Sequence, residues 1–313
     1  MKALKFLIVL LIILAVGIAG IGFYAGTQVF DGSVQMVTNE TTTLQSGYDY
    51  LKAIQFDIST FQQTYQIERV EIDSTFDGHI IPADYISSGN LNSDTVILVH
   101  GMGGNRVSVY PQAEMFLRNG YNVLTYDQRS SGENTAQYTT YGYWESKDLI
   151  DCVRFIDAQI DESKQLVAWG VSFGGATVGI ALGDVDFNEK VDHAILDCPI
   201  SNMRDMLEVR MKEMDTGMPV DLLLAGGNFV TNMKLKFSYE DTEVMRYAAQ
   251  GTVPTLVINS RADTVTPFYM GEDIYNALSV EKKKLYTVGD ISHGNIHLMA
   301  PVEYEQVVMD FIR

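Results

Sequence analysis

The sequence predicts a doubly wound α/β fold with a mostly parallel sheet, an inserted helical cap and an N-terminal transmembrane helix. Three observations carry this expectation. Six short runs rich in Val, Ile and Leu, lacking polar alternation, recur at residues 95–99, 121–126, 165–169, 191–196, 253–259 and 284–288. Such runs read as parallel strands buried on both faces. Helix-length amphipathic stretches at 107–118, 144–159, 173–182 and 267–278 lie between the runs, and another at 301–312 closes the chain. That alternation is the signature of βαβ units. Ahead of it all, residues 6–25 form an uncharged apolar run of 20 residues, the length a helix needs to cross a bilayer core.

Taken in order, Lys2 and Lys5 precede the apolar run. A cleaved signal peptide would carry a shorter apolar core, about 7 to 15 residues, ending in a small-residue site. The expectation is therefore an uncleaved signal-anchor over residues 1–26, with a cleaved leader as the alternative. The positive-inside rule then leaves the amino terminus in the cytoplasm and the rest of this single-pass cell-membrane protein on the extracytoplasmic side. Gly22 and Gly26 form a GxxxG pair, by itself a weak dimerisation signal. Residues 27–63 turn to Thr, Gln, Ser and Asp and are expected to be a polar stalk with one or two helices. The folded domain is expected from 64 to 313. It opens with β-rich runs at 66–74 and 79–87 around Asp77-Gly78, a hairpin signal. About fifty residues separate the strand ending at Asp197 from the one starting at Val253, more than one crossover helix requires. A helical cap over 199–250 fits that gap. It holds seven of the 14 methionines, and Met203, Met211 and Met214 share a helix face with Leu207, so these three methionines are expected to line an adaptable substrate pocket, with ordinary core packing, the commoner use of this spacing, as the alternative.

Composition narrows the function. The 313 residues carry 40 acidic and 22 basic side chains, a formal charge of −18, which argues against a nucleic-acid partner because phosphates are neutralised by clustered Lys and Arg. Hydrophobic residues at 46% are too many for a disordered chain. Cys152 and Cys198 are too few for a disulfide scaffold and not spaced for zinc. The sequence has no HExxH, CxxC or EF-hand loop, and the Gly101-to-Arg106 string GMGGNR lacks the GK[ST] ending of a phosphate loop. No metal and no cofactor are expected.

Gly170-Val171-Ser172-Phe173-Gly174 follows a strand and opens a helix, the context of a GxSxG nucleophile elbow. A serine hydroxyl needs a base, and the base needs an acid to orient it. Of the five histidines, His79, His100 and His193 fall in a hairpin, at a strand end and within a strand, positions that read as structural. His293 and His297 follow the final strand; His293, followed by Gly294 in a short loop, is the preferred base and His297 the runner-up. Asp263, just after the strand 253–259, is the preferred acid, with Asp197 as the alternative. The chain order Ser172, Asp263, His293 is that of the GxSxG hydrolases. Backbone amides of Met102, after the strand 95–99, and of Phe173 are expected to form an oxyanion hole.

At these residues the chain resembles the α/β-hydrolase superfamily, and within it the membrane-anchored bacterial branch similar to serine-aminopeptidase-type and prolyl-oligopeptidase-type hydrolases. The matching strings are Asp77-Gly78, His100 to Arg106, Tyr126 to Arg129 with Gly132, Gly142 with Glu145 and Asp148, Gly170 to Gly175, Asp263 with Pro267, and Ser292-His293. The turn Ser130 to Asn134 departs from the family's usual Gly-His-Gly-x-Ser-like form. The resemblance implies a serine hydrolase acting on an ester, thioester or amide in a small, lipid-like or peptide substrate, with esterase chemistry foremost. Two rivals are an aminopeptidase, whose free-amine anchor would come from Asp205, Glu208, Glu213, Asp215 and Asp221 of the cap, and an inert scaffold that keeps the fold.

Overall fold

The computed structural model describes residues 2–214 and 217–313. They divide into two compact units: the residues up to Met36 together with Arg204–Asp241, and Val37–Met203 together with Thr242–Arg313.

The larger unit is built on one eight-stranded sheet. Its strands are β1 (Gln66–Asp73), β2 (Ile80–Ser87), β3 (Thr95–Val99), β4 (Asn122–Tyr126), β5 (Leu166–Val171), β6 (His193–Asp197), β7 (Thr255–Ser260) and β8 (Lys283–Val288), in the spatial order β1-β2-β4-β3-β5-β6-β7-β8. β2 runs antiparallel to both β1 and β4, and every later pairing is parallel. The six apolar runs therefore supply the parallel part. Strands β3, β4, β6 and β7 are buried at every residue, which is why their sequences carry no polar alternation. The Asp77-Gly78 turn lies between β1 and β2 as expected, with Gly78 at φ 77°, but in a six-residue loop closed by the Ser74 amide donating to the His79 carbonyl at 2.8 Å.

Crossover helices α4 (Tyr110–Arg118), α5 (Glu145–Asp157), α6 (Phe173–Ala181), α7 (Val185–Lys190) and α11 (Phe268–Ala277), with α12 (Ile296–Met299) and α13 (Pro301–Ile312), complete this layer. Trp169 of β5 is fully buried, and its indole N–H donates to the Tyr304 hydroxyl of α13 at 2.8 Å. The segment expected as a stalk behaves differently. Residues 44–64 form α2 (Leu44–Ala53) and α3 (Ile58–Thr64), capped by Thr43 and Asp57. Leu51 and Phe61 are wholly buried in the core, and the Phe61 ring stacks on Tyr110 at 5.0 Å. The polar composition hid two amphipathic helices that bury Leu51 and Phe61 and pack Leu44, Tyr48 and Ile58 against the core, so this segment belongs to the folded unit.

The smaller unit contains α1 (Lys2–Val34), α9 (Val220–Leu235) and most of α8 (Met203–Met214). α1 continues without a break past residue 26, where the anchor was expected to end. Its stretch Leu4–Val34 is long and apolar enough to cross a membrane. The insertion is narrower than 199–250. Its base is stitched within the larger unit, where the Val244 amide of α10 (Val244–Ala248) donates to the Ser201 carbonyl at 2.9 Å and the Met203 amide to Thr242 Oγ1 at 2.9 Å.

Candidate active site

Ser172 joins β5 to α6 with φ 57° and ψ −114°, a left-handed conformation that costs a non-glycine residue free energy and persists only when the surroundings enforce it. They do so here through close packing. A side-chain carbon at Gly170 would overlap the Gly174 carbonyl, and one at Gly174 would overlap the carbonyls of Val99 and His100 at the end of β3. The Ser172 amide donates to the Asp197 carbonyl at 2.7 Å. The glycines of the GxSxG string are thus required by backbone approach, and the hydroxyl is presented at the carboxyl edge of the sheet.

The loop after β8 brings His293 to the same edge. His293 Nε2 lies 2.9 Å from Ser172 Oγ, and Nδ1 lies 2.6 Å from Asp263 Oδ2. With a carboxylate at Nδ1, the hydrogen-bond pattern assigns the ring proton to that nitrogen and leaves Nε2 to accept from the serine hydroxyl. Asp263 is buried. Its other oxygen accepts from the amides of Val265 at 2.8 Å and Thr266 at 2.9 Å, and the Thr266 hydroxyl donates to Oδ2 at 3.0 Å. Burial pushes the carboxyl up, but the hydrogen bonds from His293 and these two amides outweigh it and hold Asp263 below its ordinary value. Ser260 Oγ, which donates to the Ile291 carbonyl, ties the β7 loop to the histidine loop. Thr266 is a site residue that sequence reasoning missed; only its place three residues after Asp263 could have signalled it.

The runner-up groups are engaged elsewhere. Asp197 is fully buried, accepting from the Tyr304 hydroxyl at 2.8 Å and the Cys198 thiol at 3.3 Å; burial pushes its carboxyl up to about 6. His297 Nε2 accepts from the Gln112 side-chain amide at 2.8 Å, and burial brings its imidazole down to about 4. His100 is wholly buried, donating from Nδ1 to the Gly101 carbonyl at 2.8 Å and accepting at Nε2 from the Gln128 amide at 3.0 Å. His79 lies beside Asp77 and Asp148, and His193 beside Lys282. Cys198, Asp263 and His293 offer donor atoms within 4.8 Å of one another. The last two are bonded to each other, and burial raises the Cys198 thiol well above its ordinary range, so the set does not fit a metal cage.

A cavity of about 340 Å³ opens beside Ser172 and His293. Its walls include Gly101 to Asn105 after β3, with Met102 among them, and Ser46, Gly47 and Tyr50 of α2. Phe173 is the first residue of α6, so its amide is one of the first-turn donors without an intrahelical acceptor. Met203, in the same unit as the cavity, is fully buried and not among its lining residues; Met211 is nearly fully buried and Met214 is 71% exposed. The α2 wall was invisible in sequence because residues 44–53 carry no motif. The cavity lining among the described residues includes no carboxylate. Of the acids considered for an amine anchor, Glu208 and Asp221 pair with Arg204, Glu208 also with Lys212, and Glu213 with Arg210; Asp215 lies outside the described residues.

The other matching strings serve the frame around this edge. The Arg129 guanidinium is buried between the Phe76 and Trp144 rings, 5.4 Å from each centroid, and donates to Asp148 at 3.0 Å and Asp77 at 2.8 Å. Glu145 accepts from the Thr140 and Gly142 amides at 2.9 and 3.1 Å. The divergent turn Ser130 to Asn134 is held by Asp127, which accepts from the Glu133 amide at 2.9 Å while its carbonyl accepts from the Asn134 side chain at 2.9 Å. Comparison with known proteins agrees with the fold. Residues 94–219 match the family model of the alpha/beta hydrolase fold. This chain is an α/β-hydrolase-fold protein. It is 27% identical over 240 residues to the YqkD protein of Bacillus subtilis, covering 75% of this chain and 73% of that one. It is 22% identical over 235 residues to the lysophosphatidylserine lipase ABHD12 of Xenopus tropicalis, covering 69% of this chain and 57% of that one. Among solved structures, the esterase Pf2001 of Pyrococcus furiosus superposes with a TM-score of 0.63 at 23% identity, over 84% of this chain and 94% of that one. The α/β-hydrolase neighbours are esterase-like and lipase-like.

Proposed function

We propose that this chain is a membrane-tethered serine hydrolase that cleaves a carboxylic ester through an acyl-enzyme, with thioesters as close substrates. The observation that carries the reading is the imidazole of His293 set between Ser172 Oγ at 2.9 Å and the Asp263 carboxylate at 2.6 Å. In this mechanism His293 takes the hydroxyl proton as Ser172 Oγ forms a bond to the substrate carbonyl carbon. The carbonyl oxygen becomes an oxyanion held by the Met102 and Phe173 amides. His293 then returns the proton to the departing alkoxide or thiolate, leaving an acyl group on Ser172, and water repeats the sequence to release the acid. Asp263 holds the imidazole tautomer and offsets its charge. The absence of a carboxylate from the described cavity lining favours an uncharged acyl group over a free amine. The lipase name of the ABHD12 relative and the apolar α1 are consistent with a substrate drawn from lipid.

The test is hydrolysis of nitrophenyl esters of increasing chain length by the purified protein. Ser172→Ala should fold as the wild type does and lose turnover by about 10³-fold or more. Wild-type-like turnover in that variant would remove the assignment.

A further inference from the structure

Within the smaller unit, α1 and α9 cross at glycines. A side-chain carbon at Gly26 would overlap the backbone of Gly226, and one at Gly226 would stand 3.2 Å from both the Gly22 carbonyl oxygen and Gly26 Cα. Further along, Val29 occupies the space a side chain at Gly227 would need. Lys234 Nζ then lies 4.2 Å from the centroid of the Phe30 ring and 3.9 Å from Asp31. The pairings advance in the same direction on both helices, so α9 runs parallel to α1. The Gly22/Gly26 pair is therefore used inside the chain, in the small-residue manner that lets two helix backbones touch.

On the same side of α9 as Gly226, at i−4, i+3 and i+7, stand Leu222, Phe229 and Met233. They are 54%, 63% and 42% exposed, a connected apolar stripe on a helix that elsewhere buries its large side chains. Exposed apolar stripes of this kind mark a contact surface. The depth of the stripe indicates which contact. α1 is uncharged from Phe6 to Phe30, with Asp31 the first charge after the run. Leu222 is one turn before Gly226, about 6 Å toward the amino end of α1 at 1.5 Å per residue, and so level with Gly22, inside the uncharged run. Phe229 stands level with the end of that run. Lys234, beside Asp31, marks the level at which charge returns. Apolar, aromatic and basic residues thus follow one another along α9 in the order in which acyl chains, headgroup region and water follow one another at a bilayer surface. Asp221 is on another side of α9 and is held by Arg204 at 2.8 Å.

We infer that α9 is a second membrane contact: its first turns enter the leaflet in which α1 ends, with Leu222 among the acyl chains and Phe229 near the headgroup layer. The inference rests on α1 being a membrane span, as in the proposed function. The occupant of the stripe is lipid, because the stripe flanks the α1 crossing and shares its depth. The contact is apolar in origin, since a chain of net charge −18 is repelled by anionic headgroups.

The experiment uses the full-length chain in phosphatidylcholine vesicles, with single tryptophans introduced as Phe229→Trp, Leu222→Trp and Ile12→Trp, each read against the native Trp144 and Trp169 background. Lipids brominated on the acyl chain should quench the added fluorescence of all three variants by about twofold or more, and Phe229→Trp should be quenched more by bromines near the headgroup than by bromines near the chain end. Quenching of Ile12→Trp with none at Phe229 and Leu222 would overturn the inference and leave the tether intact. No quenching at any of the three positions would overturn the tether and the inference together. If the α9 tryptophans ignore lipid and light scattering shows a dimer, the stripe is covered by a second copy of the chain, and the inference is overturned.

Discussion

Asp263 and Asp197 follow or end neighbouring strands of one sheet edge, and a buried acid at either place could serve a histidine. The structure separates them by their partners. Asp263 is bonded to His293 and to two backbone amides that favour its charged form, whereas Asp197 faces the hydroxyl of Tyr304 and the thiol of Cys198. Asp263→Asn should therefore lower kcat/KM by about 10³-fold or more, because an amide cannot fix the tautomer that leaves Nε2 free to accept. Asp197→Asn should stay within about tenfold of the wild type, acting only through packing. Equal losses in nitrophenyl ester assays of the two variants would contradict the assignment of roles. The same pair gives a pH dependence. The folded value of Asp197, about 6, lies above that of a free carboxyl. The folded chain therefore keeps this proton longer than the unfolded chain, and the associated stability is complete at low pH and lost as pH rises through about 6. The stability advantage of wild type over Asp197→Asn should shrink between pH 4 and pH 8, by roughly 3 kcal/mol at most. Denaturant melts at both pH values measure this, and an advantage that grows with pH would contradict it.

At the scale of elements, legibility followed the number of residues that pointed one way. The buried strands β3, β4, β6 and β7 announced themselves because a strand covered on both faces has no polar position to fill. The elbow could be read because Gly170 and Gly174 leave no room for a side chain. The helices α2 and α3 could not, since Leu51 and Phe61 are their only fully buried large side chains and polar residues fill most of the other positions. Yet α2 forms a wall of the cavity, and its fit depends on Gly47. A side-chain carbon there would overlap Asn105, whose side chain donates to the Thr43 carbonyl at 2.8 Å and accepts from the Val107 amide at 3.0 Å. Gly47→Ala must move either α2 or the turn that carries Met102. A stability loss of about 1–3 kcal/mol from overpacking is expected, with a fall in kcat/KM on the order of tenfold from the displaced wall. A variant with unchanged melting and kinetics would show that α2 has slack at this point. On α8 the period groups Met203, Met211 and Met214, yet Met203 and Met211 are buried and Met214 is exposed, because a period gives one side of a helix and not what lies against it.

For the whole molecule, the sequence placed three parts, an anchor, a sheet domain and an insertion, but drew their limits by composition. The folded chain draws them by packing: the segment expected as a stalk joins the sheet domain, and the insertion pairs with the carboxyl half of α1 through Gly26 and Gly226. That pairing depends on two glycines about 200 residues apart, a coincidence no local pattern reveals. The formal charge of −18 sets up a long-range field that disfavours anionic partners. The proposed chemistry turns on one bond, the ester formed between an acyl group and Ser172. Its most direct measurement is the mass of the intact chain after exposure to a fluorophosphonate, followed by mapping of the modified peptide. A single adduct on Ser172 is expected, absent from Ser172→Ala and formed far more slowly in His293→Ala. An adduct on another residue, or equal labelling in Ser172→Ala, would contradict it.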